Sequence, residues 1–86
     1  MAYLSKSAFT NAEELKTFRY QHRMNQTEFW SPIGVTQSAG SRYESGRNIP
    51  VPTQTLLLLI YGAPRRAEQE LEKLRRWNAA KEKSSD

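Results

Sequence analysis

The chain contains no cysteine and a single histidine, His22. The first absence removes disulfides, thiol nucleophiles and thiolate metal sites. The second leaves too few imidazoles for a histidine-based metal cluster. The apolar run Leu56–Ile60 falls far short of the roughly 20 residues a membrane span needs. The opening residues, MAYLSKSAFTNAEE, carry no apolar core of the signal-peptide kind, so a cytoplasmic location is expected. No Ser/His/Asp or Cys/His constellation is present, and the carboxylates are scattered along helical faces with basic neighbours. An enzyme is therefore not expected, and neither a cofactor nor a metal is called for. Aromatics placed on strands and a GxxG loop, the marks of common RNA-binding modules, are also missing. No segment alternates cleanly enough to read as a strand, and no internal repeat is visible.

What remains is a small, basic, helix-forming chain. Its 86 residues suit one domain, and a 37% apolar share supplies one modest core. Thirteen Lys and Arg against nine Asp and Glu leave a net charge of +4, which favours a polyanionic partner. Residues 1–10 show no period and are expected to be loose, although Tyr3, Leu4 and Phe9 are apolar enough to tuck onto a domain.

Thr10 followed by Glu13 has capping-box spacing and predicts a helix from about Asn11 to His22, with Ala12, Leu15 and Phe18 on its inner face. Asn25 and Glu28 repeat that spacing and start a second helix at Gln26, which Pro32 cuts short. Gly34 allows a sharp turn, Thr36 caps a third helix reaching Ser45, and Gly46 ends it. The segment Arg47–Pro52 reads as a stiff connector. A buried helix is predicted over about Thr53–Tyr61. A last helix is predicted from Arg65 to about Lys83, with an apolar stripe of Ala67, Leu71, Leu74 and Asn78 and Trp77 beside it.

Residues 26–46, QTEFWSPIGVTQSAGSRYESG, are the most telling stretch: two short helices around a tight turn. The second opens with small and amide side chains and carries Arg42 four residues after Ser38, on the same face. Such a helix suits a DNA major groove, where a glutamine matches the donor–acceptor edge of adenine and an arginine reaches guanine or a phosphate.

The wider segment from Leu15 to Gly62 resembles the Cro/repressor-type (Xre-like) helix-turn-helix domain. The landmarks are Arg19, then Asn25-Gln26, then Gly34-Val35-Thr36-Gln37-Ser38, then Arg42-Tyr43-Glu44-x-Gly46, followed by a proline-rich bend and a leucine-rich helix. The resemblance implies an all-α, compact, five-helix lambda-repressor-like fold that binds an operator in double-stranded DNA as a homodimer. It implies base contacts from Thr36, Gln37, Ser38 and Arg42, and a phosphate contact from Gln26. It also implies a charged pair, Arg19 with Glu44, that ties the first helix to the third. Arg47 and Asn48 follow the third helix and are expected to grip the DNA backbone.

Two residues depart from the family pattern. Trp30 stands where alanine is usual and Gly40 where an apolar residue is usual, and the expectation is that the ring fills the space the glycine leaves.

The domain reading is a loose segment over 1–10, a DNA-binding unit over 11–62 and a C-terminal helix over 63–86. Leu71, Leu74 and Trp77 are the expected dimer face; the fourth helix with the Gly62-Ala63-Pro64 turn is an alternative. The functional expectation is a transcriptional regulator acting by operator occupancy, most often as a repressor. The rivals are an antitoxin or accessory protein that binds DNA and a protein partner, and a protein-only adaptor with the same fold.

Overall fold

The computed structural model describes residues 3–84, with side chains of the last helix described as far as Arg76. Among these residues there are five α-helices and no strand: α1 (Ala12–Gln21), α2 (Gln26–Trp30), α3 (Gln37–Glu44), α4 (Val51–Tyr61) and α5 (Pro64–Ser84). Short 3-10 turns occupy Lys6–Phe9 and Ser31–Ile33. The all-helical fold expected from the sequence is the fold observed.

Local chemistry sets the helix ends. At α2 the Asn25 side chain accepts from the Glu28 N–H at 2.8 Å, and the Glu28 carboxylate accepts from the Asn25 N–H at 2.8 Å. This reciprocal box satisfies two donors that a helix start otherwise leaves open. At α1 the box expected from Thr10 is absent. Asn11 is the cap, accepting from the N–H groups of Glu13 and Glu14, while the Thr10 hydroxyl donates to the Ser7 carbonyl at 3.3 Å. An asparagine one residue nearer the helix is the better-placed acceptor.

The α2–α3 turn is made by the 3-10 turn at Ser31–Ile33 and by Gly34 at φ 76°, a left-handed value that only glycine adopts freely. Thr36 then caps α3, its hydroxyl accepting from the Ala39 N–H at 3.2 Å. α4 begins at Val51, so Pro52 lies in its first turn and not in the connector. First-turn N–H groups have no intrahelical partner, and a proline there forfeits nothing.

The core is Leu15 and Phe18 of α1, Phe29 and Trp30 of α2, Ile33, Ile49 and Leu57. Leu4 and Ala8 join it, and the Leu4 N–H donates to the Tyr61 carbonyl at 2.8 Å. From Tyr3 onward the first segment is thus part of the domain, against the expectation of a loose arm. Two buried side chains hold it there, Leu4 just before the 3-10 turn and Ala8 within it.

The leucine-rich run is only partly interior. Leu57 and Leu58 are buried, whereas Leu56 and Ile60 are exposed on one face. α5 packs on α4 through its first turns. Beyond Glu70, every described residue of α5 is exposed, and the molecule measures 46 × 25 × 21 Å. Trp77 lies outside the residues whose side chains are described.

Candidate nucleic-acid interface

α2 and α3 are locked together from beneath by one buried carboxylate. Glu44 receives Arg19 through two hydrogen bonds, Nε to Oε2 at 2.9 Å and Nη2 to Oε1 at 2.8 Å. The Trp30 indole N–H donates to Oε2 at 2.8 Å, and the Gln26 amide donates to Oε1 at 3.4 Å. A paired fork of this kind is both strong and directional. Burial by itself would push the Glu44 carboxyl up. The hydrogen bonds from Arg19, Trp30 and Gln26, with the Arg19 charge, outweigh it and hold the group below the usual carboxylate range. Its own hydrogen bonds to Glu44, with the Glu44 charge, raise Arg19 above its ordinary value despite its burial. Arg19 Nη1 also donates to the Met24 carbonyl at 3.0 Å, so one guanidinium fastens the end of α1, the approach to α2 and the end of α3.

The Arg19–Glu44 pair expected from the resemblance is therefore present, and its third partner is Trp30. The Trp30 ring also occupies the place where a side chain on Gly40 would begin: a Cβ there would come within 3.0 Å of three atoms of the indole. The ring leans on Tyr43 of α3 at 5.5 Å between centroids. The two departures from the family pattern are thus one packing unit that brings α2 and α3 close. Sequence reasoning placed Trp30 opposite Gly40 but did not see the indole as a hydrogen-bond donor to Glu44. The available signal was the need of a buried tryptophan for an acceptor, with Glu44 the one carboxylate given a structural pairing role.

With Gly40 and Glu44 facing inward, α3 presents Thr36, Gln37, Ser38 and Arg42 to solvent. The Gln37 amide donates to the Gln26 Oε1 at 3.4 Å, and Gln26 in turn reaches Glu44. This relay sets the start of α3 against the start of α2. Thr36 spends its hydroxyl on the helix cap. Arg42, Arg47 and Asn48 line one open groove with Ala39 and Tyr43, so the two residues expected beyond the helix sit beside the arginine expected within it.

Gly46, at φ 106°, turns the chain there. Its N–H bonds the Tyr43 carbonyl, and the Arg47 N–H bonds the Arg42 carbonyl, each at 3.1 Å. This Schellman closure points the chain away from α3 immediately after its last turn.

The carboxylates of residues 3–62 are all occupied within the protein. Glu13 pairs with Lys16 at 3.1 Å. Glu14 accepts from Ser5 and Ser7 at 2.9 and 2.6 Å, bonds that lower its pKa. Glu28 closes the α2 box and Glu44 holds Arg19. Arg42 and Arg47, by contrast, are exposed and have no acidic partner among the described residues. The face built by α3 is thus rigid, polar and uncompensated in positive charge, which is the pattern a phosphate-lined groove requires.

A short helix and a longer one, set at a tight turn and fixed by a buried polar cluster, define a helix-turn-helix domain, a class of DNA-binding module. The comparison of families agrees: residues 16–60, just over half of the 86-residue chain, match the RsaL-like HTH domain. The chain belongs to the RsaL-like helix-turn-helix family. This upholds the helix-turn-helix class but not the particular Cro/repressor branch that the landmarks resembled. Neither the comparison with curated proteins nor that with solved structures returns a match.

Proposed function

We propose that the protein is a sequence-specific transcriptional regulator, most simply a repressor, that places the start of α3 in the major groove of an operator. The observation that carries this reading is the exposed row Thr36, Gln37, Ser38 and Arg42, held on a helix whose other face is pinned by Glu44 and Trp30. Gln37 and Ser38 read base edges, and Arg42 reads guanine or a flanking phosphate. Gln26, Arg47 and Asn48 contact phosphates and set the register of the helix on the duplex. Kinship with Cro/repressor-type domains in the docking of α3 is part of this proposal.

The regulator works as a homodimer in the cytoplasm, without a cofactor and without catalysis. Dimerisation is supported by the apolar side chains that α5 carries past the domain: Leu71 is 45% exposed and Leu74 41%. The exposed Leu56 and Ile60 of α4 offer the alternative face. A two-fold dimer would match a palindromic operator, with half-sites about 34–36 Å apart.

The test is a binding titration of a random-sequence duplex against stepped salt. The proposal expects retention at low ionic strength and a steep fall in affinity as salt rises, because phosphate contacts release counterions. A protein that holds no duplex at low salt is not a regulator of this kind. That result would favour a protein-only adaptor. An adjacent small toxin gene, with DNA binding intact, would favour the antitoxin reading.

A further inference from the structure

Among the described residues, one non-glycine has a positive φ: Arg23, at 56°. It closes α1 by the arrangement that Gly46 makes after α3. The Arg23 N–H bonds the Tyr20 carbonyl at 3.0 Å, and the Met24 N–H bonds the Arg19 carbonyl at 3.1 Å. Glycine is the residue suited to that position, since a Cβ in the left-handed region crowds the following carbonyl. α3 ends on a glycine in this place and α1 ends on an arginine, so the fold carries strain at α1 that a smaller residue would remove.

Among the described residues, nothing accounts for the arginine. Arg23 is exposed, and it has no acidic partner among the described residues. The four carboxylates of residues 3–62 are engaged elsewhere. Its backbone, however, is held firmly beside the reading helix. The next residue, Met24, gives its carbonyl to the Arg19 guanidinium that grips Glu44 of α3. Gln26, three residues on, accepts the amide of Gln37.

We propose that Arg23 is a DNA-backbone contact, a guanidinium held at the flank of the reading helix to meet a phosphate. This rests on the reading of α3 as the DNA-contacting helix. The occupant is a phosphate because Arg23 lies on the turn before α2, outside the helix that enters the groove. A charge in that place positions the duplex without reading it. The contact adds to those of Gln26, Arg47 and Asn48 and is the only one of them set on a strained backbone.

The experiment compares Arg23→Gly, Arg23→Asn and Arg23→Lys with the wild type in two readouts. Arg23→Gly relieves the left-handed strain and raises the melting temperature, while weakening binding several-fold. Its loss is the same for a selected operator and for a random duplex, and its salt slope is smaller by about 1. Arg23→Asn, which tolerates the backbone angle but lacks charge, loses binding in the same way. Arg23→Lys keeps the wild-type slope. Opposite movement of stability and affinity is what a strained contact residue produces and what a merely structural one does not. A wild type that binds DNA while Arg23→Gly matches it in affinity and slope overturns this contact alone. A loss confined to one operator sequence overturns the phosphate assignment in favour of a base contact. A wild type that holds no duplex at low salt overturns the contact together with the reading of α3.

Discussion

The indole N–H of Trp30 and the guanidinium Nε of Arg19 donate to the same oxygen of Glu44, at 2.8 and 2.9 Å. One carboxylate from the end of α3 therefore gathers α1 and α2 at once. The orientation of α3 on the domain depends on a single buried polar cluster as well as on apolar packing. Trp30→Phe keeps most of the ring and removes the donor. It should cost about 1.5–3 kcal/mol, the range for a hydrogen bond to a charged group, read by denaturant melts. A loss well below that range would mean the ring matters only for its volume.

The same ring controls Gly40. In an open helix interior alanine is worth about 1 kcal/mol more than glycine. Here a Cβ would run into Trp30. Gly40→Ala should therefore destabilise the wild type. In a Trp30→Leu background it should do less harm or turn stabilising. A double-mutant cycle of the two substitutions measures the coupling, and strictly additive effects would contradict the shared packing.

Glu44 also sets an acid limit. Its folded pKa lies below the ordinary value of 4.5. Its contribution is fully present above that ordinary value, and it drains away as pH falls from there through the folded value. A carbon-detected NMR titration of the Glu44 carboxyl should give a midpoint below 4.5. A midpoint at or above it would mean that burial outweighs the three donors.

Leu71→Asp with Leu74→Asp places two charges on the exposed stripe of α5. Light scattering should report a monomer whose helical content and melting are close to those of the wild type, since neither residue is in the core. A variant that remains dimeric would move the interface to Leu56 and Ile60 of α4.

Much of this arrangement is legible in the sequence because its signals are local. The Asn25–Glu28 box, the Thr36 cap and the Gly46 stop are each decided within a few residues, and each is found where its chemistry puts it. The Arg19–Glu44 pair was reachable through the order of landmarks in the resemblance. Competition between neighbours was harder to see. Asn11 displaced Thr10 as a cap, and Pro52 proved compatible with the first turn of α4. Partners distant in sequence were hardest. Leu4 bonds the Tyr61 backbone and Trp30 reaches Glu44, and neither residue carries a mark of its destination. The left-handed backbone at Arg23 was also invisible, because arginine does not announce a position that glycine would normally fill.

The reading helix itself is tested most directly by selecting bound duplexes from a random pool with the wild type and with Gln37→Ala in parallel. The account predicts a two-fold-symmetric site for the wild type. For Gln37→Ala it predicts the same site, with preference relaxed at one base pair per half-site by about 1–3 kcal/mol. Gln26→Ala, run alongside, should weaken all sequences, with a smaller relaxation at that base pair because it anchors Gln37. Identical selected sites from the wild type and Gln37→Ala, or no enrichment at all, would contradict the placement of α3 in the groove.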